Sequence, residues 1–213
     1  NNFFKRLKKN GSKFSYRKIQ NKSKKVYEAN ITVFDALKKS DTDPNGKFFL
    51  ERYIAAHAIM ISFEGVPAIY FNSLFGKSND EAKYVITGNN RDINRYKWSY
   101  ENITKKLNNK NSKQSIFYQN LGKLLEIKRK QKAFHPNAKR LNINLGSKLF
   151  CFKRTSLDKK QTIISITNCS SVDQYPKLNK KYSKWKNIIN PKINSLNKSF
   201  KLKPFETMWL SNK

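Results

Sequence analysis

The spacing of hydrophobic residues changes near Pro136, and this change constrains the fold more than any other feature of the sequence. Residues 47–63 and residues 112–133 repeat apolar side chains every three to four positions, which is the pattern of a helix with a buried face. Residues 47–63 are apolar on the flanks as well, so this helix is expected to be buried on most sides. The sequence thus predicts two long core helices before Pro136.

A period of two replaces the helical period after Pro136. Residues 149–152, 162–167 and 205–210 combine β-branched and aromatic residues, and turns of Lys, Asn, Ser and Asp separate them. Short runs of this composition between polar turns are typical of antiparallel strands. The sequence predicts a small antiparallel β domain over residues 137–213.

A short apolar run, residues 66–71, follows the first predicted helix after Glu64 and Gly65. A continuous apolar run is expected for a parallel strand that is covered on both faces, and Pro67 is tolerated because it lies near the start. A helix followed at once by a buried strand is an α/β unit. Residues 26–37, in contrast, are predicted as a loop that leads into a short helix.

A polar segment, residues 72–97, contains two arginines in a chain that otherwise uses lysine. Arg91 and Arg95 flank Asp92, whereas the whole chain has 8 arginines and 37 lysines. A guanidinium offers five donors in a planar fork, which binds hydroxyls and carboxylates in a fixed geometry. Long polar segments often contain functional residues. We therefore expect a binding loop here.

Composition favours a folded protein without a metal. The 38% hydrophobic content and the 15 Phe argue against disorder, in spite of a formal net charge of +31 over 213 residues. The two cysteines, Cys151 and Cys169, lie in apolar, strand-like surroundings and are predicted to be reduced core thiols. Two histidines without a Cys-x-x-Cys motif offer no zinc ligand set. No cofactor is expected.

The histidines, the tryptophans and two aspartates have structural interpretations. His57 lies in the first predicted helix and is expected to satisfy its ring nitrogens locally, and His135 is expected to serve the end of the second helix. Asp35 and Asp80 are interpreted as structural and not as catalytic carboxylates. The tryptophans are expected to pack in the interior, because their spacing does not place them on one face: Trp98, Trp185 and Trp209.

The positive charge has two interpretations. A sequence pI near 10.2 fits a module that binds nucleic acid. The lysines are spread along the chain, however, and Lys, Asn, Ile, Phe and Tyr all have codons rich in A and T, so a biased genome would give the same excess. Nucleic-acid binders usually concentrate charge and interleave arginine with aromatic residues. We do not expect nucleic acid as a partner, and we keep a polyanion-binding module as an alternative.

The sequence contains no sign of a membrane segment or a secretion signal. Its longest apolar stretch is interrupted by His57, Ser62 and Glu64, so no membrane partner is expected. The first residues include no initiating Met, no hydrophobic signal core and no cleavage site. The sequence therefore reads as a chain that is entered midway, and a cytoplasmic location is predicted.

Four stretches of the chain occur in an order and spacing that resemble a known family. They are YEANITVFDAL at 27–37, GVPAIYFNSLFG at 65–76 with ND at 79–80, TG at 87–88 with RDINR at 91–95, and AFHPNA at 133–138. The chain resembles the C-terminal part of the α-amylase superfamily (glycoside hydrolase family 13), and within it the sucrose phosphorylase group with its glucosylglycerate phosphorylase-like members. The match covers most of residues 26–138, whereas the β tail fits by pattern only.

The resemblance implies the C-terminal part of a (β/α)₈ TIM barrel, whose site is formed by loops at the C-terminal ends of the strands. In the family, the first arginine of the RDINR motif helps to bind the glucosyl ring, which implies that role for Arg91. Asp92 and Arg95 are then expected to order the loop by ion pairing. Tyr27 and Glu28 resemble residues of a mobile loop near the acceptor, which implies that Glu28 contacts acceptor hydroxyls.

Both site assignments have alternatives at the level of the residues. Arg91 could instead order its loop through an ion pair with Asp92 or Asp80. An aromatic residue followed by an acid, as at Tyr27 and Glu28, is common in loops of any function.

The resemblance also implies chemistry that this chain does not contain. The family reacts by a retaining double displacement with a nucleophilic Asp, a Glu acid/base and a further Asp. All three are expected upstream of position 1, together with a His-Asp pair, so no catalytic residue is assigned. Part of a barrel leaves open strand edges and an uncovered apolar interior, so the chain alone is expected to be inactive, and unstable or prone to aggregation.

The implied function is that of a fragment of a sucrose phosphorylase-like enzyme of carbohydrate metabolism. The whole enzyme would transfer glucose from a small α-glucoside, of the sucrose or glucosylglycerate type, to phosphate. A small α-glucoside and phosphate are the expected ligands once an N-terminal half completes the site. Two alternatives remain open: a non-catalytic basic module that binds nucleic acid or another polyanion, and one subunit of a split enzyme.

Overall fold

The structure is a computed structural model that describes residues 2–19, 23–191 and 200–213. These residues form helices together with two antiparallel sheets, one of 2 strands and one of 5 strands. No helix within them combines the length and the apolar composition needed to cross a bilayer.

The chain forms two compact units. The first comprises residues 1–49 and 69–119, and the second comprises residues 50–68 and 120–213. This division differs from the boundary predicted near Pro136, because residues 50–68 group with the later β region. The assignment of residues 1–136 to a barrel and of residues 137–213 to a β domain stays a prediction.

The first unit begins with helix α1 (Asn2–Lys9), which leads into a hairpin of strands β1 (Lys13–Lys18) and β2 (Lys24–Asn30). Strand β2 corrects the prediction of a loop at the start of residues 26–37. The partner of β2 is β1, which precedes it in the sequence, and local composition does not reveal such a pairing. The predicted short helix is present as α2 (Val33–Lys38).

The polar segment predicted as a long loop is mostly helical. It contains α4 (Phe71–Leu74), α5 (Glu81–Thr87) and a 3₁₀ turn (Asn90–Asn94). Asp80 caps the N-terminus of helix α5, and its side chain accepts from the amide of Lys83 at 3.1 Å. The interpretation of Asp80 as a structural residue fits this cap. These helices explain how a segment of this length remains ordered.

The predicted buried strand over residues 66–71 is wrong. Residues 66–70 form neither a strand nor a helix, and Phe71 begins α4. Val66 is 82% exposed and Tyr70 is 55% exposed. A parallel strand is stable only between neighbours that accept its backbone hydrogen bonds, and no strand among the described residues pairs with this run.

Aromatic side chains form the core of the first unit, which also contains helix α6 (Tyr100–Asn108) and the start of α7 (Lys113–Arg129). The ring of Phe34 lies 4.5 Å from that of Phe49 and 5.7 Å from that of Phe117 between centroids. Edge-to-face contacts at these distances add to the stabilisation from burial. The buried face of α7 thus agrees with the apolar stripe that the sequence predicts.

The second unit contains most of helix α3 (Phe49–Ser62) and a five-stranded antiparallel sheet in the order β3-β4-β5-β7-β6. Both long helices agree with their predicted positions. The antiparallel β region is confirmed, and the three predicted strands correspond to β4, β5 and β7. The strands of this sheet are β3 (Arg140–Asn142), β4 (Leu149–Thr155), β5 (Thr162–Asn168), β6 (Lys186–Asn187) and β7 (Thr207–Ser211).

The central strand β5 is buried along almost its whole length because both faces of the sheet are covered. One face carries a cluster of buried side chains around Ile164 and Ile166. On the other face, Trp209 meets the ring of Phe134 at 4.8 Å between centroids. Burial on two faces explains why the apolar isoleucines and the small polar Ser165 are all buried in this strand.

A buried arginine connects the end of α3 to the turn that follows α7. Arg154 has no exposed surface. Its Nη1 donates to the carbonyl of Ser62 at 2.8 Å, and its Nη2 donates to the carbonyl of His135 at 2.6 Å. Burial lowers the pKa of this guanidinium. The two bonds satisfy backbone carbonyls at helix ends, where no following turn of helix supplies an N–H donor.

The structural interpretations of His57 and of the tryptophans fit the structure, whereas His135 lies beyond the end of α7 and its ring Nδ1 accepts from the amide of Asn137 at 3.2 Å. The ring Nδ1 of His57 lies 2.9 Å from the carbonyl of Tyr53 in the preceding turn, and burial lowers the pKa of the ring. Trp209 is fully buried, and Trp185 packs against the core of the sheet. Trp98 donates through Nε1 to a side chain of its own unit at 2.9 Å.

The two cysteines are free, but only one lies in the core. Cys151 is buried, whereas Cys169 follows the end of β5 and is exposed. The prediction of two core thiols is therefore wrong for Cys169, because the strand that its apolar neighbours indicate ends one residue earlier.

Burial raises the pKa of the Cys151 thiol to about 12. At pH 8 roughly one Cys151 in 10,000 is then a thiolate, which is the reactive form. We expect iodoacetamide to modify Cys169 in the native chain and to modify Cys151 only after unfolding in urea. Mass spectrometry of peptides from both samples measures this difference, and equal labelling of both cysteines in the native chain would contradict the fold of β4.

Candidate functional site

The hairpin contains a bulge at one of the predicted site residues. Ser15 pairs with Glu28, but the next residue, Tyr16, pairs with Val26. Tyr27 is therefore an extra residue in β2, and its side chain is 59% exposed. Bulges of this kind redirect side chains and are common beside active sites.

Glu28 binds Arg91 across 63 residues of sequence. The Nε of Arg91 donates to both carboxylate oxygens, at 3.2 Å to Oε1 and 3.1 Å to Oε2. The Arg91 side chain is 47% exposed, and the Glu28 side chain is 30% exposed. The hydrogen bond that Arg91 donates to Glu28, followed by the charge of Glu28, raises the pKa of Arg91, and Tyr27 makes the smallest contribution. The structure thus brings together Arg91, which is predicted to bind the glucosyl ring, and Glu28, which is predicted to contact the acceptor.

Asn90, the residue before Arg91, attaches the Arg91 loop to the hairpin. Asn90 donates through Nδ2 to the carbonyl of Phe14 at 3.1 Å and to the hydroxyl of Ser15 at 3.1 Å. Asn30 also approaches the Ser15 hydroxyl, at 3.3 Å, and the Glu28 carboxylate, at 3.4 Å. These bonds fix β1, β2 and the 3₁₀ turn relative to one another.

A second asparagine joins the hairpin region to α5. The Oδ1 of Asn79 accepts from the backbone of Thr32 at 2.9 Å and from its hydroxyl at 3.1 Å. The backbone amide of Asn79 donates to Oδ2 of Asp35 at 2.5 Å. Asp35 is occupied by these contacts, which fits its structural interpretation.

Asp92 and Arg95 lie on the same turn as Arg91, but the ion pair of Asp92 is with another residue. Lys83 Nζ lies 3.1 Å from Asp92 Oδ1. A hydrogen bond from Thr87, then one from Lys83, lowers the pKa of Asp92, and the charge of Arg95 contributes least. The loop-ordering role of Asp92 and Arg95 stays a prediction, with Lys83 as the partner that the sequence did not indicate.

The far end of the loop is fixed by a buried amide. Asn72 donates through Nδ2 to the carbonyl of Tyr96 at 3.0 Å and accepts from Trp98 Nε1 at 2.9 Å. The ammonium of Lys77 lies 4.2 Å from the centroid of the Tyr96 ring. Burial lowers the pKa of Lys77, and nearby aspartates partly offset this. Both ends of the Arg91 loop are therefore held in place.

The arrangement suits the binding of neutral hydroxyl groups. Glu28 uses only the Nε edge of the guanidinium, and no described residue accepts a bond from the two terminal Nη groups of Arg91. Two parallel N–H donors match a pair of adjacent oxygens, as in a sugar diol or a carboxylate. Among the residues that the structure describes, no group of three His, Cys, Asp or Glu side chains could hold a metal ion.

Comparisons with known proteins identify the kind of enzyme that this arrangement resembles. No protein-family model matches the chain. It is 28% identical over 204 residues to the glucosylglycerate phosphorylase of Escherichia coli, a match that covers 96% of this chain and 35% of that enzyme. It is 37% identical over 71 residues to the sucrose phosphorylase of Agrobacterium vitis, covering 33% of this chain and 13% of that enzyme. The chain thus spans about a third of the length of the Escherichia coli enzyme and a smaller part of the Agrobacterium vitis enzyme.

The chain is similar in sequence to glucosylglycerate and sucrose phosphorylases. Its fold agrees: the solved sucrose 6F-phosphate phosphorylase of Thermoanaerobacter thermosaccharolyticum aligns with a TM-score of 0.62 at 21% identity, over 79% of this chain and 31% of that protein. This likeness shows a shared fold with part of a family 13 enzyme. The predicted resemblance to this family is thereby confirmed.

Several residues around Arg91 were not predicted from the sequence. Asn90 and Asn79 lie in or beside the family motifs, so their position was a signal that could have been used. Ser15, Asn30 and Lys83 gave no signal, because their roles depend on contacts between segments far apart in the sequence. The roles of Arg91, Tyr27 and Glu28 in binding stay predictions.

Proposed function

We propose that the chain supplies part of the substrate site of a sucrose phosphorylase-like enzyme, which transfers glucose from a small α-glucoside to phosphate. The contact of Arg91 with Glu28 is the observation that carries this proposal. It places a guanidinium fork beside a bulged hairpin, with its Nη groups free of described partners. The similarity to a glucosylglycerate phosphorylase along almost the whole chain supports this substrate class.

The proposed architecture is the C-terminal part of a (β/α)₈ barrel followed by a β domain. The exposed apolar residues of 66–70 support it, because they suit contact with another part of the enzyme. The Arg91 loop follows these residues in the sequence.

The chain alone is proposed to have no turnover. A retaining mechanism needs two carboxyl groups about 5 Å apart that flank the scissile bond. Near Arg91, Glu28 binds the guanidinium, Asp92 pairs with Lys83, and Asp35 binds the amide of Asn79. Each is bound to a structural partner, so this surface binds and orients while another part of the enzyme reacts.

A chimera tests the proposal. The 204 residues of the Escherichia coli enzyme that match this chain would be replaced by their counterparts from this chain. We expect the chimera, and not the isolated chain, to release glucose 1-phosphate from glucosylglycerate and phosphate. A chimera that melts cooperatively but is inactive, or an isolated chain that turns over, contradicts the proposal.

Variants at Arg91 extend the test to the site. Lysine provides a single ammonium, which can bind Glu28 or the sugar but cannot present two parallel donors. We expect Arg91→Lys and Arg91→Ala each to raise the KM of the chimera for the glucoside by about 10–100-fold, because a charge-assisted contact is lost. Arg17→Lys, on an exposed part of β1, is the matched control and should leave the KM unchanged.

A further inference from the structure

We propose that Asn90 and Ser15 are positioning residues that orient Arg91 through Glu28, and this inference rests on the proposed function. Neither residue contacts the guanidinium. They connect the 3₁₀ turn that carries Arg91 to the strand that faces Glu28. The ligand of the oriented guanidinium is a pair of adjacent hydroxyls on the glucoside.

The first step is the attachment of the turn to β1. Asn90 directly precedes Arg91, and its Nδ2 reaches both the carbonyl of Phe14 and the hydroxyl of Ser15 at 3.1 Å. An amide has two N–H donors, and both are directed at one short stretch of β1. The distance between Arg91 and the hairpin is therefore set by a side chain and not by the turn alone.

The second step is the placement of the carboxylate. Ser15 and Glu28 are direct partners across the hairpin, so they lie on the same face of it. Asn30 lies on that face too and donates toward the Ser15 hydroxyl and the Glu28 carboxylate, at 3.3 and 3.4 Å. The Ser15 hydroxyl thus accepts hydrogen bonds from Asn90 on the turn and from Asn30 on β2. It connects the turn that carries Arg91 to the strand that carries Glu28.

The third step is the effect on the guanidinium. An arginine side chain has several rotatable bonds, and ordering it for a ligand costs conformational entropy. Glu28 restricts this freedom by binding Nε through both carboxylate oxygens. If Asn90 is shortened, the turn and the hairpin can separate, and the orientation of Arg91 is lost although both charged residues remain.

The kinetic test uses the chimera. We expect Asn90→Ala to raise the KM for the glucoside by about 10-fold with kcat nearly unchanged, because ground-state and transition-state binding are weakened alike. Ser15→Ala should do the same, and Ser15→Thr, which keeps the hydroxyl, should restore the KM. In a Glu28→Ala background, Asn90→Ala should have no additional effect. Asn102→Ala, at an exposed position in α6, is the control.

A second measurement on the 213-residue chain does not depend on activity. The chain has 8 arginines, so labelling with ¹⁵N-arginine gives a small set of Nε signals, which Arg91→Lys assigns. We expect slow hydrogen exchange at the Arg91 Nε–H, and at least 10-fold faster exchange in both Asn90→Ala and Glu28→Ala. An unprotected signal in the unsubstituted chain overturns the inference.

The outcomes separate this inference from the proposed function. An active chimera in which Asn90→Ala leaves both the KM and the exchange rate unchanged overturns the positioning role and leaves the function standing. An inactive chimera with slow, Asn90-dependent exchange at Arg91 overturns the function and supports the positioning contact. Equal effects of Asn90→Ala in the wild-type and Glu28→Ala backgrounds mean that Asn90 does not act through Glu28, and they also overturn the inference.

Discussion

Replacing Arg154 with alanine is expected to lower the free energy of unfolding by about 3–5 kcal/mol. The guanidinium is fully buried and donates to the carbonyls of Ser62 and His135. Alanine leaves both carbonyls without these donors and opens a cavity in the second unit. A buried carbonyl that loses its hydrogen bond lowers the free energy of unfolding by more than the same bond would contribute at a solvent-exposed position.

Urea unfolding followed by tryptophan fluorescence measures this loss, because Trp209 lies on β7 of the same sheet. Arg129→Ala removes the same charge from an exposed position at the end of α7, and we expect a change within about 0.5 kcal/mol. A loss at Arg154 no larger than that at Arg129 would show that the carbonyls find other partners and that the described connection is unimportant.

Replacing Gly76 with alanine is expected to destabilise the first unit by about 2–5 kcal/mol, through two separate costs. The backbone φ of Gly76 is 56°, a left-handed conformation that costs an L-residue about 1–2 kcal/mol. A Cβ at this position would also clash with the Phe117 ring. Phe117 is 3% exposed, so its ring has little room to move, and overpacking adds about 1–3 kcal/mol.

Gly88→Ala isolates the first of these costs. Gly88 has a φ of 65° at the end of α5, and a Cβ there would meet no atom within 4 Å. We expect a loss of about 1–2 kcal/mol, so the difference between the two variants measures the contact with Phe117. Equal losses in thermal or urea unfolding would mean that the aromatic core of the first unit adapts, and they would contradict its close packing.

The elements that could be predicted are those in which one chain segment determines its own pattern. Helices α3 and α7 repeat their apolar residues over 14 and 17 residues, long enough for the period to be clear. Strands β4, β5 and β7 follow from short runs of apolar, aromatic or β-branched residues between polar turns. The burial of β5 on both faces is reflected only in part, because Ser165 interrupts its isoleucines.

The features that could not be predicted depend on distant partners. The run at residues 66–70 has the composition of a strand, but a strand exists only where a neighbour pairs with it. The sequence indicated that position 91 requires a guanidinium, and it offered Asp92 and Asp80 as ion-pair partners of Arg91. The partner in the structure is Glu28, because a hairpin bulge directs that side chain toward the turn.

The bulge at Tyr27 has an evolutionary consequence. With this extra residue in β2, the pairing of β1 with the residues before position 27 is shifted by one relative to the pairing after it. Loss of a single codon would restore regular alternation and change which side chains accompany Glu28, without altering the turn that bears Arg91. Under the proposed function, small insertions and deletions in the hairpin would change acceptor preference while recognition of the glucosyl group stays the same.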